Sequence, residues 1–174
     1  MKNLKVVFFG TPDFAKESLA AIHQSNHQVV GVVTVADKPS GRGQKLTESP
    51  VKKYAVENNL PVFQPEKLRN PEFLEQIRNL DADVFVVVAF RMMPKILFEM
   101  PKIGTFNLHA SLLPDYRGAA PINFAIINGE EKTGATTFFI NEKIDEGNIL
   151  LQEELPISPD ENAGSLHDRL MEMG

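Results

Sequence analysis

No cysteine occurs in the 174 residues, so disulfides and thiolate metal ligands are excluded and a reducing cytoplasm is a compatible setting. Long apolar runs are missing too. Nothing approaches the length of a membrane-spanning helix, so no membrane partner is expected. Met1-Lys2-Asn3-Leu4-Lys5-Val6 leads straight into an expected strand, without the apolar region and cleavage site of a leader. The four histidines (His23, His27, His109, His167) form no HExxH motif, so no metal is expected. His23 and His27 flank the end of an expected helix, where cations meet the dipole favourably, and surface roles suit them and His167. A dinucleotide fingerprint is lacking as well. Only Gly10 follows the first apolar run and Pro12 interrupts the pattern, so no nucleotide cofactor is expected. A net charge of −5 argues against a surface that is basic all over, but leaves a local basic patch open.

What is present is a globular composition, 43% hydrophobic and 24% charged, at a length that fits one domain over 1–174. Apolar runs at 4–9, 28–35 and 84–89 alternate with helical candidates. Phe14, Leu19, Ile22 and the alanines make the buried stripe of the first helix, and further helices are expected at 51–58 and 71–80. Thr11 is placed to cap the first helix, with Pro12 in its first turn. Uninterrupted β-branched runs suit strands covered on both faces, as in a parallel sheet. The β-α-β-α-β order therefore predicts an α/β fold, a three-layer α/β/α Rossmann-like sandwich. In the second half a strand ends near His109 and a helix is expected over 119–128. Runs at 136–140 and 149–155 then flank the turn Asp145-Glu146-Gly147. Those two runs should pair as a hairpin, making a mostly parallel sheet mixed. A last helix over 162–173 would bury Leu166, Leu170 and Met173.

The most telling segment is Asn107-Leu108-His109-Ala110-Ser111-Leu112-Leu113-Pro114, followed by Tyr116-Arg117-Gly118-Ala119-Ala120-Pro121-Ile122. Side chains two apart on a strand leave the same face, so the Asn107 carboxamide and the His109 imidazole converge. Beside a Leu-Leu-Pro turn and an arginine, they can bind a carbonyl, stabilise its oxyanion and move a proton. Asp145 makes good turn chemistry before Glu146-Gly147 in any case. It joins the site only if the fold carries that turn over His109. Residues 36–53 hold Lys38, Arg42, Lys45, Lys52 and Lys53 against Asp37 and Glu48, with Gly41 and Gly43 around the arginine. A solvated loop is one reading; a hinged basic loop that grips a phosphate backbone is the other.

Asn107-x-His109 with Ser-Leu-Leu-Pro114, Arg117-Gly118 and the Asp-x-Gly at 145–147 resembles the folate-dependent formyltransferases. Gly10-Thr-Pro-Asp-Phe14, the 38–46 run Lys-Pro-Ser-Gly-Arg-Gly-Gln-Lys-Leu and Ser49-Pro50-Val51-Lys52 narrow the likeness. With the Arg-Gly-Ala-Ala-Pro-Ile run, they resemble the branch that formylates methionyl initiator tRNA, along the whole chain. The resemblance implies a formyltransferase fold and transfer of a formyl group from 10-formyltetrahydrofolate to the α-amino group of that acceptor, in translation initiation. It implies Asn107, His109 and Asp145 as catalytic residues. It implies donor binding by Phe90, Arg91 and Met92, by the turn Ser111, Leu112, Leu113 and Pro114, and by the 140–145 loop. Leu112 and Leu113 are odd residues for a turn, and at least one of them could instead plug the core. Arg42, supported by Lys38 and Lys45, is the expected tRNA contact, and a monomer is the default.

Two departures stand out. Arg91 occupies a position where the family has glycine, and the chain ends before the family's C-terminal tRNA-binding β-barrel. Within the same fold the rivals are a sugar-nucleotide amine formyltransferase and a formyltetrahydrofolate hydrolase. A non-catalytic RNA-binding module is the rival from another class.

Overall fold

The computed structural model describes residues 3–40 and 45–174. The chain forms two compact units, Met1–Thr105 and Phe106–Gly174. In the first, strands β1 (Lys5–Gly10) and β2 (Gln28–Val33) run parallel, joined by helix α1 (Asp13–Gln24). The chain continues through β3 (Lys38–Ser40), β4 (Lys45–Thr47), α2 (Pro50–Glu57), β5 (Val62–Phe63), α3 (Pro71–Asn79), β6 (Val84–Val88) and α4 (Lys95–Phe98). β1 lies between β2 and β6, parallel to both, and β5 extends the sheet parallel to β2. Every residue of β6, and all but the first of β1, is buried, as their uninterrupted apolar runs require. α1 packs on β1, β2 and β6 through Phe14, Ala15 and Leu19.

Local chemistry explains the helix starts. Ser49 accepts the Lys52 N–H at 3.0 Å and Pro50 opens α2; Asn70 accepts the Phe73 N–H at 3.2 Å and Pro71 opens α3. Thr11 does not cap α1. Pro12 itself stands at the cap in extended conformation and makes no side-chain cap hydrogen bond, and Asp13 supplies the favourable charge instead. Gly10 has a steric role: a β-carbon there would meet the Ala15 β-carbon at 2.6 Å and the Val88 carbonyl at 3.0 Å. A glycine after the first strand thus permits close helix–strand packing in a chain without a dinucleotide fingerprint.

β7 (Gly104–His109) carries the chain into the second unit. There follow α5 (Pro121–Ile127), β8 (Lys132–Phe139), β9 (Ile149–Pro156) and α6 (Ala163–Met173). β8 pairs antiparallel with both β7 and β9, so the expected hairpin is present, and β8 starts four residues earlier than its apolar pattern indicated. Strand pairing is therefore mixed and mostly parallel. α6 is closed by a capping box in which Asn162 accepts the Gly164 and Ser165 amides, and it buries Leu166 and Leu170. The stretch at 36–53 is not a plain loop: β3 and β4 form a short antiparallel ribbon and residues 50–53 already belong to α2. No helix among the described residues is long and apolar enough to cross a membrane.

Candidate active site

β7 delivers Asn107 and His109 to one face. Asn107 stands opposite Phe138 and His109 opposite Thr136, alternate positions on β8. His109 is buried, with 9% of its side chain exposed, and both ring nitrogens face acceptors. Nε2 lies 2.8 Å from the Tyr116 carbonyl oxygen, and Nδ1 lies 3.7 Å from Asp145 Oδ2. A carbonyl can only accept, so Nε2 carries a proton. The edge left for proton exchange is Nδ1, beside a carboxylate. The Asn107 carboxamide has no hydrogen-bond partner among the described residues, so its donor is uncommitted.

The turn carrying Asp145 is held in place from the other side. Asp145 is left-handed, with φ of 51°, and its Oδ2 accepts the Gly118 N–H at 2.8 Å. Arg117 Nε donates to the Asp145 carbonyl at 3.0 Å, and its Nη1 reaches Glu146 at 3.4 Å. Gly147 lets the turn lie against β8, since a β-carbon there would fall 1.5 Å from the Phe139 carbonyl oxygen. Tyr116 is also left-handed, and its hydroxyl is tied to Glu130 and to Asn128 Nδ2. The Glu130 hydrogen bond holds its phenol above the usual tyrosine range.

The Ser-Leu-Leu-Pro turn is organised by residues that sequence reasoning passed over. Thr136, fully buried, donates through Oγ1 to the Ser111 carbonyl at 2.7 Å and accepts the Leu113 N–H at 3.2 Å. Gln152 Nε2 donates to that same hydroxyl at 2.9 Å and to the Leu113 carbonyl at 3.0 Å. Ser111 Oγ donates to the Asp115 carbonyl at 2.7 Å. Leu113 plugs the core and both its backbone groups are occupied; Leu112 is half-buried, its carbonyl accepting the Asp115 N–H at 3.0 Å, and Pro114 is exposed. A threonine inside a strand carries no signal by itself. Arg117-Gly118, by contrast, was visible as a motif, without its hold on Asp145.

In the first unit, Phe90 packs edge-on to Phe9, with ring centroids 5.7 Å apart, and Met92 is exposed. The Arg91 guanidinium lies over Phe90 and donates to the Pro65 and Glu66 carbonyls. It straps two loops of its own unit together. Lys38 is exposed on β3, and Lys45 opens β4. Arg42 lies outside the described residues. His23 Nδ1 sits 3.1 Å from the Tyr54 hydroxyl, His27 Nδ1 accepts the Leu4 N–H at 3.3 Å, and His167 Nδ1 lies 3.0 Å from Asp168. Among the described residues no three His, Asp or Glu side chains gather as a metal site would need.

The model of the formyl transferase family matches residues 4–174. This chain belongs to that family. A methionyl-tRNA formyltransferase from Flavobacterium johnsoniae is 59% identical over all of this chain and 55% of its own length. One from Bacteroides fragilis is 52% identical over 99% of this chain and 53% of its own. The chain thus spans about half the length of the curated relatives it matches. Among solved structures, a phosphoribosylglycinamide formyltransferase from Bacillus halodurans aligns with a TM-score of 0.79 at 23% identity, covering 97% of this chain and 88% of that one. A sugar 3N-formyl transferase, solved in the presence of dTDP and 5-N-formyl-THF, aligns with a TM-score of 0.68 at 26% identity, over 99% of this chain and 59% of that one. The Rossmann-like α/β fold expected from the strand order, and the formyltransferase fold that the resemblance implied, are the ones found.

Proposed function

We propose that residues 1–174 are the catalytic domain of a methionyl-tRNA formyltransferase, which moves a formyl group from 10-formyltetrahydrofolate to the α-amino group of methionyl initiator tRNA in the cytoplasm. The observation that carries this reading is the corner where Asn107 and His109 share a strand face and His109 Nδ1 looks at Asp145 across 3.7 Å. Identities of 52–59% to enzymes of that name support the choice of acceptor.

The chemistry follows from what each group is free to do. Asn107, with no partner among the described residues, donates to the formyl oxygen as it gathers charge during attack by the amine. Removing a donor of this kind costs on the order of 10²–10³ in rate. The attacking nitrogen must shed a proton and the departing folate nitrogen must gain one. His109 handles that proton at Nδ1, its neutral form set by the Tyr116 carbonyl, while Asp145 steadies the imidazolium. Leu112, Pro114 and the 140–145 loop offer backbone and apolar surface to the flat donor. Lys38, Arg42 and Lys45 are the tRNA contacts in this reading.

Incubation with 10-formyltetrahydrofolate and methionyl initiator tRNA, followed by analysis of the amino acid, should yield formylmethionine. Formylation of an amino-sugar nucleotide in its place would move the chain to the sugar branch. Formate release without any acceptor would make it a hydrolase. Undiminished turnover in His109→Ala would remove the catalytic assignment.

A further inference from the structure

Arg91 lies in the middle of a segment expected to bind the donor, yet its guanidinium is occupied elsewhere. Nη1 donates to the Glu66 carbonyl at 2.9 Å and Nη2 to the Pro65 carbonyl, while the guanidinium carbon sits 5.7 Å from the Phe90 ring centroid. The two carbonyls follow β5, and the arginine follows β6. These are parallel strands in the order β5-β2-β1-β6, so both segments leave by the same edge, with the carboxyl ends of β1 and β2 between them. One forked cation thus joins two chain paths across the edge where open α/β sheets bind their ligands.

Little else fixes the arginine's own segment. Within the first unit, Phe90, Arg91 and Met92 make no backbone hydrogen bond to any described residue. Ala89, just ahead of them, is left-handed with φ of 46°, which crowds its β-carbon against the following carbonyl. Phe90 rests against Phe9, and Met93 is buried, so the stretch is pinned at its two ends and bare in the middle. There, alternating N–H and C=O groups stand beside the exposed Met92 side chain. That combination suits a flat heterocycle with donors and acceptors on its edge. The other side of the clasp is firmer. β5 is paired to β2, Gln64 Nε2 donates to the Val35 carbonyl at 2.8 Å, and Leu68 is buried. The arginine therefore fastens a poorly supported segment to a well-supported one.

We propose that Arg91 is a positioning residue for the folate donor. Its clasp on Pro65 and Glu66 holds the Phe90–Met92 backbone ready for the flat ring system, and the guanidinium itself makes no contact with the donor. This rests on the donor reading above and deepens it. A segment ordered in advance loses less entropy on binding than one that its ligand must order.

Two readouts on the whole chain test the clasp. NMR relaxation gives backbone amide order parameters without folate, and calorimetry gives the affinity for 5-N-formyl-THF, the folate present with the sugar 3N-formyl transferase. In the unaltered chain, residues 90–92 should be as rigid as the strands, with order parameters of about 0.85. Arg91→Met keeps most of the stem and removes the fork. It should lower those values towards about 0.6 and weaken folate binding by about 5- to 20-fold, through lost pre-organisation. Arg91→Lys keeps the charge, but one ammonium does not reproduce a planar fork on two carbonyls, so both readouts should stay close to those of Arg91→Met. Full affinity in Arg91→Lys alongside lowered order would mean that the charge meets the donor directly. In Arg91→Met, weakened affinity at unchanged order would make the arginine a ligand contact, and lowered order at unchanged affinity would leave the clasp no part in donor binding. Any of these results overturns the proposal. If the unaltered chain binds no 5-N-formyl-THF, the donor reading falls and the positioning role with it. The order parameters would still say separately whether the clasp exists.

Discussion

The strands of the two units bury their side chains in opposite styles. β6 is five apolar residues, all buried, and β1 is buried along all but its first position. Such strands have no face to spare. In the second unit β7 mixes half-buried positions, Phe106 and Asn107, with buried ones, Leu108 and His109, and β9 is exposed along nearly its whole length. Of the buried polar side chains among the described residues, His109, Ser111, Thr133 and Thr136 belong to this part, while Thr34, Ser49 and Thr105 lie in the first unit but outside β1 and β6. A parallel strand covered by helices on both sides could hold a histidine or a carboxamide only by desolvating it. An antiparallel strand with one open face can present both. The first unit therefore supplies stability, while the second can host reactive groups at small cost.

That contrast breaks most directly through one substitution in each half. Asn107→Ala removes a side chain with no partner among the described residues, so folding stability should hardly change. Turnover should fall on the order of 10²–10³. Phe85→Ala empties a fully buried position of β6 that packs on Phe9 at 5.1 Å, and should cost about 3–5 kcal/mol in chemical denaturation. Per folded molecule, its turnover should remain near that of the unaltered chain. If Asn107→Ala unfolds the chain, or Phe85→Ala abolishes turnover in the folded fraction, the division of labour is wrong.

Legibility followed the same line. The buried strands of the first unit were readable because an uninterrupted β-branched run has few other uses, and the helices at 51–58 and 71–80 were expected, though not their caps at Ser49 and Asn70. Thr11 looked like such a cap, but the cap position fell on Pro12, whose ring fixes the backbone without supplying an acceptor. In the second unit Asn107 and His109 were legible from strand periodicity. Asp145 was legible only as a turn, because its arrival beside His109 is a long-range event. Thr136 and Gln152 left no trace at all: their roles come from cross-strand register, which no local pattern encodes.

Thr136→Val sharpens the comparison within the second unit, since it keeps the shape and deletes one hydroxyl. The Ser111 carbonyl and the Leu113 N–H both lose that partner in a buried setting. A loss of about 1–3 kcal/mol is expected. The Ser-Leu-Leu-Pro turn should loosen, so KM for the folate donor should rise while the His109–Asp145 corner keeps its pH dependence. A change in the pH profile with unaltered donor KM would mean that the network serves the histidine and not the turn.

The smallest effect concerns Glu161 and Arg169, an ion pair at 2.6 Å that ties the residue before the N-cap of α6 to the helix's second turn. Only 5% of the Glu161 side chain is exposed. Arg169 first, and the Ser158 N–H second, hold its carboxyl below the ordinary glutamate range. A carboxyl lowered on folding stabilises fully above its unfolded value, near ~4.3, and that contribution is lost as the pH falls through the folded value. Glu161→Gln should therefore lower the urea midpoint at pH 7, and the gap between the two chains should close as the pH drops below about 4. First-unit substitutions such as Phe85→Ala remove no charge and should leave a gap that is independent of pH. A gap for Glu161→Gln that persists unchanged at low pH would show that the contribution is packing, and would erase this difference between the two halves.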